Sequence, residues 1–245
     1  MAALWHDAAA MHASQLQYFP VSLPFLLIFW GLLIVLIGLA TLRLLRFAST
    51  SMGLTEGALI TALALSLLGS YINIPVAYLP GHRTVTAGEI SFFGMTYIVP
   101  LVRQTHATVL AVNVGGAIIP VCLSLYLLVK HRLFLLGAIG TLLVAAVCHF
   151  LAQPVAGFGI ALPIFVPIIA TAIIAIALSR RRAAPLAYIS GSLGVLIGAD
   201  LLNLGAVQSL GAPVASIGGA GTFDGIFVTG LMAVLWAGLS RYLHD

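Results

Sequence analysis

The sequence predicts an all-α fold, a polytopic transmembrane helix bundle with about seven spanning helices. Three observations predict it. Mean hydropathy is +1.17, 62% of the 245 residues are hydrophobic, and only 7% are charged. A soluble domain carries about 25% charged residues, so this chain has too little polar surface to face water and takes the bilayer as its solvent. Apolar stretches near the length needed to span a membrane recur along the chain, and the basic residues fall between them with a strong bias to one side.

Residues 1–20 contain no Lys or Arg and no apolar core before Val21. They read as a solvated or interfacial extracytoplasmic segment rather than a signal peptide. Trp5, His6, Asp7 and His12 lie there, a set that binds metal weakly at most. Residues 21–245 read as one transmembrane domain. A span needs roughly 20 apolar residues, and seven stretches qualify: 21–42, 56–79, 106–129, 133–153, 158–179, 184–204 and 222–241. An eighth, ISFFGMTYIVPLV (90–102), is too short and carries Gly94 and Pro100. It reads as a re-entrant or interfacial segment, which requires cover by protein or a cavity.

Orientation follows from the cations. With seven spans, Arg43, Arg46, Lys130, Arg132, Arg180, Arg181, Arg182 and Arg241 share one side, and Arg83 and Arg103 the other. The positive-inside rule makes the first side cytoplasmic, with the N-terminus outside and the C-terminus inside. The setting is the inner membrane. No basic tract marks a nucleic-acid partner. Cys122 and Cys148 sit mid-way in apolar stretches and read as small core residues, without a zinc-type spacing.

Counting from these landmarks gives depth. Asp224 lies 17 residues before Arg241, Asp200 lies 18 after Arg182, and His149 lies 17 after Arg132. Asn113 lies 17 before Lys130, and Asn73 lies 17 after Glu56. At the helical rise, all five lie roughly 25 Å from the cytoplasmic edge. Polar groups at that depth are costly against lipid and face the bundle interior or a cavity. Asn203 shares a helix face with Asp200. Consecutive helices tend to pack together, so Asp200 and Asp224 are expected to approach. Such a pair would share one proton, the arrangement with which aspartic proteases activate water. Each residue also has a structural reading. Asp224 is placed to cap the last helix, Asn73 and Asn113 to join helices by hydrogen bonds, and His149 to be a satisfied core residue.

Several spans carry breakers: Asn73-Ile74-Pro75, Gly115-Gly116 with Pro120, and Gln153-Pro154 before GFGIALPIFVP (157–167). Two pairs of stretches also look alike. FGMTYIVPLV (93–102) parallels FGIALPIFVPII (158–169), and ATVLAVNVGGAIIP (107–120) parallels APLAYISGSLGVLIG (184–198). They suggest a degenerate repeat of about 71–129 on 150–204. Paired broken segments around a polar midzone point to a transporter-type binding site. The Gly194–Gly198 spacing indicates close helix packing. In IGGAGTFDGIF (217–227), Gly221 and Phe223 lead into Asp224 through a close-packed turn.

GADLLNL (198–204), GAPVASIGGAGTFDGIFVTG (211–230), NVGGAIIP (113–120) and GFGIALP (157–163) resemble an uncharacterised family of bacterial and archaeal polytopic membrane proteins, a domain of unknown function. That resemblance covers most of residues 70–240 and implies no activity. A fainter one is to the presenilin and signal-peptide-peptidase group of intramembrane aspartyl proteases. It implies catalytic roles for Asp200, in Gly198-Ala199-Asp200, and for Asp224, after Phe223, with Gln153-Pro154-Val155 as the proline element. The chain departs from that pattern in its Ile-Gly-Ala-Asp context, in the reversed order of the two Asp elements, and in a proline element that precedes them.

Three functions fit. The first is an intramembrane aspartyl hydrolase, with Asp200 and Asp224 as the dyad and a transmembrane peptide as substrate. The second is a transporter or channel for a proton, cation or small solute, using Asp200, Asp224 and His149, with Asn73, Asn113, Gln153, Asn203, Gly221 and Phe223 completing the polar layer. The third is a structural or partner-binding subunit. None requires a cofactor or a metal, and the constant partner is membrane lipid.

Overall fold

The computed structural model describes residues 23–80, 83–92, 95–104, 107–155, 159–163, 165–207, 214–219 and 225–242. Eight α-helices are present among them. They are α1 (Leu23–Met52), α2 (Glu56–Gly69), α3 (Ile119–His131), α4 (Phe134–Leu151), α5 (Phe165–Leu178), α6 (Ala183–Val195), the short α7 (Leu204–Val207) and α8 (Gly225–Tyr242). Each of the seven expected spans overlaps a helix, but α2, α3, α5 and α6 have only 13 or 14 residues. Four helical stretches are long and apolar enough to cross a membrane: Leu26–Met52, Val114–His131, Phe134–Leu151 and Arg180–Ala206. The protein is an integral membrane protein. The expected N-terminal segment, 1–20, lies outside the described residues.

Residues 1–44 and 45–245 form two separate compact units. In the first, the described side chains from Leu26 to Leu44 are exposed almost throughout, apolar ones included. Lipid solvates such a surface well and water does not.

The second unit is built around α6. Twelve of its residues are buried, because it is apolar or small on every side, the pattern of a helix with neighbours all round. It packs against α3, α4, α5 and α8. Leu186, Tyr188 and Ile189 of α6 share one cluster with Met52, Leu59, Leu127, Leu133 and Val234. Small residues set the spacing. A Cβ at Gly194 would meet Val144 at 2.6 Å, and one at Gly198 would overlap the backbone of Ala145. The expected tight crossing at Gly194 and Gly198 is therefore the contact of α4 with α6 and the turn that continues it, the membrane pattern of small residues at helix interfaces. Cys148 is buried in α4, whereas Cys122 on α3 is exposed rather than a core residue.

The helix ends follow local chemistry. Thr55 caps α2, its side chain accepting from Ala58 N at 3.2 Å. Lys130 and His131 occupy the last turn of α3, where positive charge suits the helix dipole. Both also hold the turn before α2. Lys130 Nζ donates to Gly53 O at 2.6 Å, and His131 Nε2 lies 2.9 Å from Met52 O. Arg182 donates to His131 O at 3.1 Å. Three connections and their cations thus meet at one end of this unit.

The opposite end corrects the all-α expectation. The fold is mostly helical, but α2 stops at Gly69, and the rest of the expected second span is strand β1 (Asn73–Leu79). The third expected span opens with strand β4 (Thr108–Asn113) before it turns helical. The segment near 90–102 is not a lone re-entrant piece. Its backbone lies in strands β2 (Arg83–Phe92) and β3 (Met95–Gln104), paired antiparallel from Arg83↔Gln104 to Phe92↔Met95. Strands β5 (Gln153–Val155) and β6 (Gly159–Ala161) form a second small hairpin. Strand β7 (Val214–Ile217) runs parallel to β4, which pairs antiparallel with β1 on its other side. The cause is composition: NIPVAYL and TVLAVN are rich in β-branched and aromatic residues. Pro75 is accommodated because β1 is an edge strand. Backbone pairing satisfies polar groups that lipid cannot.

The paired stretches 107–120 and 184–198 differ in secondary structure, one opening as β4 and the other as α6. Both run into a five-residue π-helical turn, Val114–Ile118 and Leu196–Asp200.

Candidate functional site

The polar residues gather where the three-stranded sheet meets the two π-helical turns. Such turns insert an extra residue into a helix and leave backbone groups poorly paired, and they are frequent at functional sites. Each is serviced by an asparagine. Asn113 precedes the first, and its Oδ1 accepts from Gly116 N at 2.8 Å. Asn203, in a 3-10 turn after the second, donates from Nδ2 to Gly198 O at 2.9 Å and to Ala199 O at 3.0 Å.

Asn113 is the centre of the cluster, at 2% exposure. Its Nδ2 donates to Ser70 O at 2.8 Å and to Asn73 Oδ1 at 3.0 Å. Asn73 and Asn113 are cross-strand partners at the end of the β1–β4 ladder. The two were expected to be hydrogen-bonded across helices; they are bonded, but across strands. Ser216 Oγ donates to the same Asn73 Oδ1 at 2.5 Å. Beneath them Ser66 Oγ donates to Gly115 O at 2.7 Å, where α2 and the first π-turn touch. No side chain fits at Gly115, because a Cβ there would overlap Ser66 O.

Asp200 enters from the second π-turn, as its last residue. Its Oδ2 accepts from the backbone N–H of Gly218 at 2.6 Å. Gly218 lies two residues beyond Ser216 and has φ +75°, a conformation suited to glycine. A Cβ at Gly218 would meet Ala117 N at 2.6 Å. The turn after β7 is therefore wedged between the first π-turn and the Asp200 carboxylate. Asn73, Asn113, Ser216, Gly218 and Asp200 are linked in one neighbourhood drawn from four chain segments.

Other expected members fall elsewhere. His149 is exposed on α4, its ring beside that of Phe150. Gln153 is exposed in β5, opposite Ala161. Neither joins the asparagine cluster. The reason is helical phase. The buried stripe of α4 runs through Gly137, Thr141, Val144, Ala145 and Cys148, and His149 lies just past its edge, about 100° round from Cys148. Depth counting fixes height along a helix, not direction. Asp224, Gly221 and Phe223 lie outside the described residues. Just after them, Ile226 is buried in a cluster with Ala117, Cys148, Leu196 and Ala199. The first turn of α8 thus packs beside the second π-turn. Among the described residues no three His, Cys, Asp or Glu come together as a metal site.

Ser70 and Ser216 escaped the sequence reading, and Gly116 and Gly218 read there as breaker and turn glycines rather than as members of the site. The signal for Gly218 was present, since a glycine pair just after the alternating VASI stretch marks a strand end with a turn.

The neighbourhood lies within a stretch that a family model matches. That model, described as "Protein of unknown function (DUF1614)", covers residues 67–236, well over half the chain. The chain belongs to the DUF1614 family. Every residue of the cluster from Ser70 to Gly218 lies inside the matched region of this DUF1614 member, whereas α1 and most of α2 precede it. No curated protein and no solved structure matched significantly. The likeness to intramembrane aspartyl proteases therefore rests on its short motifs alone.

Proposed function

We propose that the chain is a multi-pass inner-membrane transporter or channel that passes a proton, cation or small polar solute through the Asn73–Asn113–Asp200 neighbourhood. One observation carries this reading. The Asn73–Asn113 pair and the Asp200 carboxylate hold the same short stretch, Ser216 to Gly218, where one π-turn opens a helix after a strand and the other breaks a helix. Interrupted helices supply polar backbone to a substrate near mid-membrane, the recurrent design of secondary transporters. Non-helical backbone at membrane depth is tolerated where protein or a water-filled cavity covers it. Asp200 is the charge-bearing group in this reading, and Asn73, exposed beside buried Asn113, is the first polar group a solute meets. Seven crossings, with the N-terminus outside and the C-terminus cytoplasmic, fit the clustering of Lys130, His131 and Arg182 at one end.

The test is flux in proteoliposomes carrying the full chain. A pH-sensitive dye reads proton entry under an imposed potassium diffusion potential, and isotope uptake reads sodium or potassium. Wild type should conduct at least one of these, and Asp200→Asn should abolish it. Equal flux in the two proteins removes the reading.

A second reading is an intramembrane aspartyl hydrolase that uses Asp200 and Asp224. It is favoured by the burial of Ile226, two residues after Asp224, in the cluster that holds Ala199. Both carboxyls must reach one water. Cleavage of a fluorogenic transmembrane peptide, lost equally in Asp200→Asn and Asp224→Asn, supports this reading. Cleavage that survives either substitution ends it.

A further inference from the structure

The cation-rich end of the second unit holds a groove that neither reading above uses. It has a volume of about 580 Å³ and lies between the last turns of α1, the start of α6 and the end of α8. Arg46, Arg180 and Arg181 line it, together with the apolar Phe47, Ala184 and Ala237. We propose that this groove binds the phosphate headgroup of an anionic phospholipid.

The charged residues of its lining are all basic. Three guanidiniums border one groove, and the Glu56 carboxylate lies 3.0 Å from Arg46 Nε. That ion pair uses one of the five N–H donors of Arg46 and orients the group. Arginine is suited to phosphate because its planar fork makes paired hydrogen bonds. Arg180 and Arg181 stand in a 3-10 turn fixed between α5 and α6, so their backbone is set before a ligand arrives. Basic pockets between transmembrane helices on the cytoplasmic side are suited to anionic headgroups.

The apolar lining selects a lipid over a free anion. Gly238 lets α8 close on Phe47, since a Cβ there would lie 2.8 Å from the ring. Ala184 and Ala237 leave the floor of the groove shallow and greasy, suited to the first methylenes of a lipid tail. Trp236, beside Ala237, is 54% exposed. An exposed tryptophan here fits the aromatic belt at headgroup level. A soluble phosphate gains nothing from these features.

The test uses the full chain purified in dodecylmaltoside and stripped of lipid. Its melting temperature is measured with added phosphatidylglycerol, phosphatidylcholine or inorganic phosphate. Phosphatidylglycerol should raise it and phosphatidylcholine should not. At least about half of that rise should vanish in the Arg180→Gln/Arg181→Gln variant, while Arg132→Gln, outside the groove, keeps it. Native mass spectrometry supplies a second readout, in which wild type retains phosphatidylglycerol and the single Arg180→Glu variant loses it. Equal shifts from both lipids overturn the proposal, as does a full shift in the double variant or retained lipid in Arg180→Glu. An equal shift from inorganic phosphate identifies a free anion as the ligand and overturns the lipid assignment.

Discussion

Oδ2 of Asp200 accepts a 2.6 Å hydrogen bond from the backbone N–H of Gly218. This contact joins the end of one π-turn to the turn that follows a parallel strand, and the same glycine packs on the other π-turn. Two interruptions far apart in sequence are thereby locked together through one residue.

Gly218→Ala is expected to destabilise the protein strongly. The new Cβ meets Ala117 N and Gly116 C, both at 2.6 Å and both backbone. The positive φ adds strain of roughly 1–3 kcal/mol and the overlap a similar amount. Thermal unfolding in detergent should show a clear drop. Gly205→Ala, where a Cβ meets nothing within 4 Å, should melt close to wild type.

Asn113 offers a sharper test because isosteric change separates its two ends. Asn113→Asp keeps an acceptor for Gly116 N. It loses both Nδ2 donations and turns an oxygen towards Ser70 O and Asn73 Oδ1. Asn113→Ala instead leaves the partners unpaired, at about 1–3 kcal/mol for each buried group. Both variants should lower the melting temperature, and Ser216→Ala, which removes a single donor, should lower it least.

Substitutions at Asp200 separate structure from function. Asn retains an oxygen for the Gly218 N–H, so its stability cost should stay under about 1 kcal/mol. Ala removes the acceptor from a buried donor and should cost roughly 1–3 kcal/mol. Flux lost in Asp200→Asn at near-normal melting temperature is the expected outcome. Flux that declines only in step with stability would make the carboxylate a structural bond.

Much of this was legible in the sequence, for identifiable reasons. Hydropathy alone gives the membrane class, because every spanning segment must be apolar. The helix-packing role of Gly194 and Gly198 follows from their spacing. The pairing of Asn73 with Asn113 follows from equal depth. What hydropathy cannot supply is backbone type. A β-branched apolar run such as TVLAVN scores like a helix, so β1 and β4 were read as the ends of spans. Nor does residue counting see the π-turns, which shift the phase of every later side chain. His149 shows the same limit: its height was countable, but its direction depends on which face of α4 the glycines close against α6.

Orientation is the last prediction, and it depends on a physical grouping. Lys130 and His131 bond to Gly53 O and Met52 O in the turn before α2, and Arg182 bonds to His131 O, so the connections before α2, α4 and α6 cannot lie on opposite faces of a membrane. The cation bias predicts that this common face is cytoplasmic. Arg83, which pairs with Gln104 at the base of the β2–β3 hairpin, is expected on the opposite face. In whole cells, a membrane-impermeant maleimide should label Arg83→Cys without permeabilisation and Arg181→Cys only after it, in a background lacking Cys122 and Cys148. The reverse pattern would place the arginine groove outside, away from the cytoplasmic leaflet. Labelling of both positions from one side would mean an even number of crossings between them, and would remove the seven-span topology.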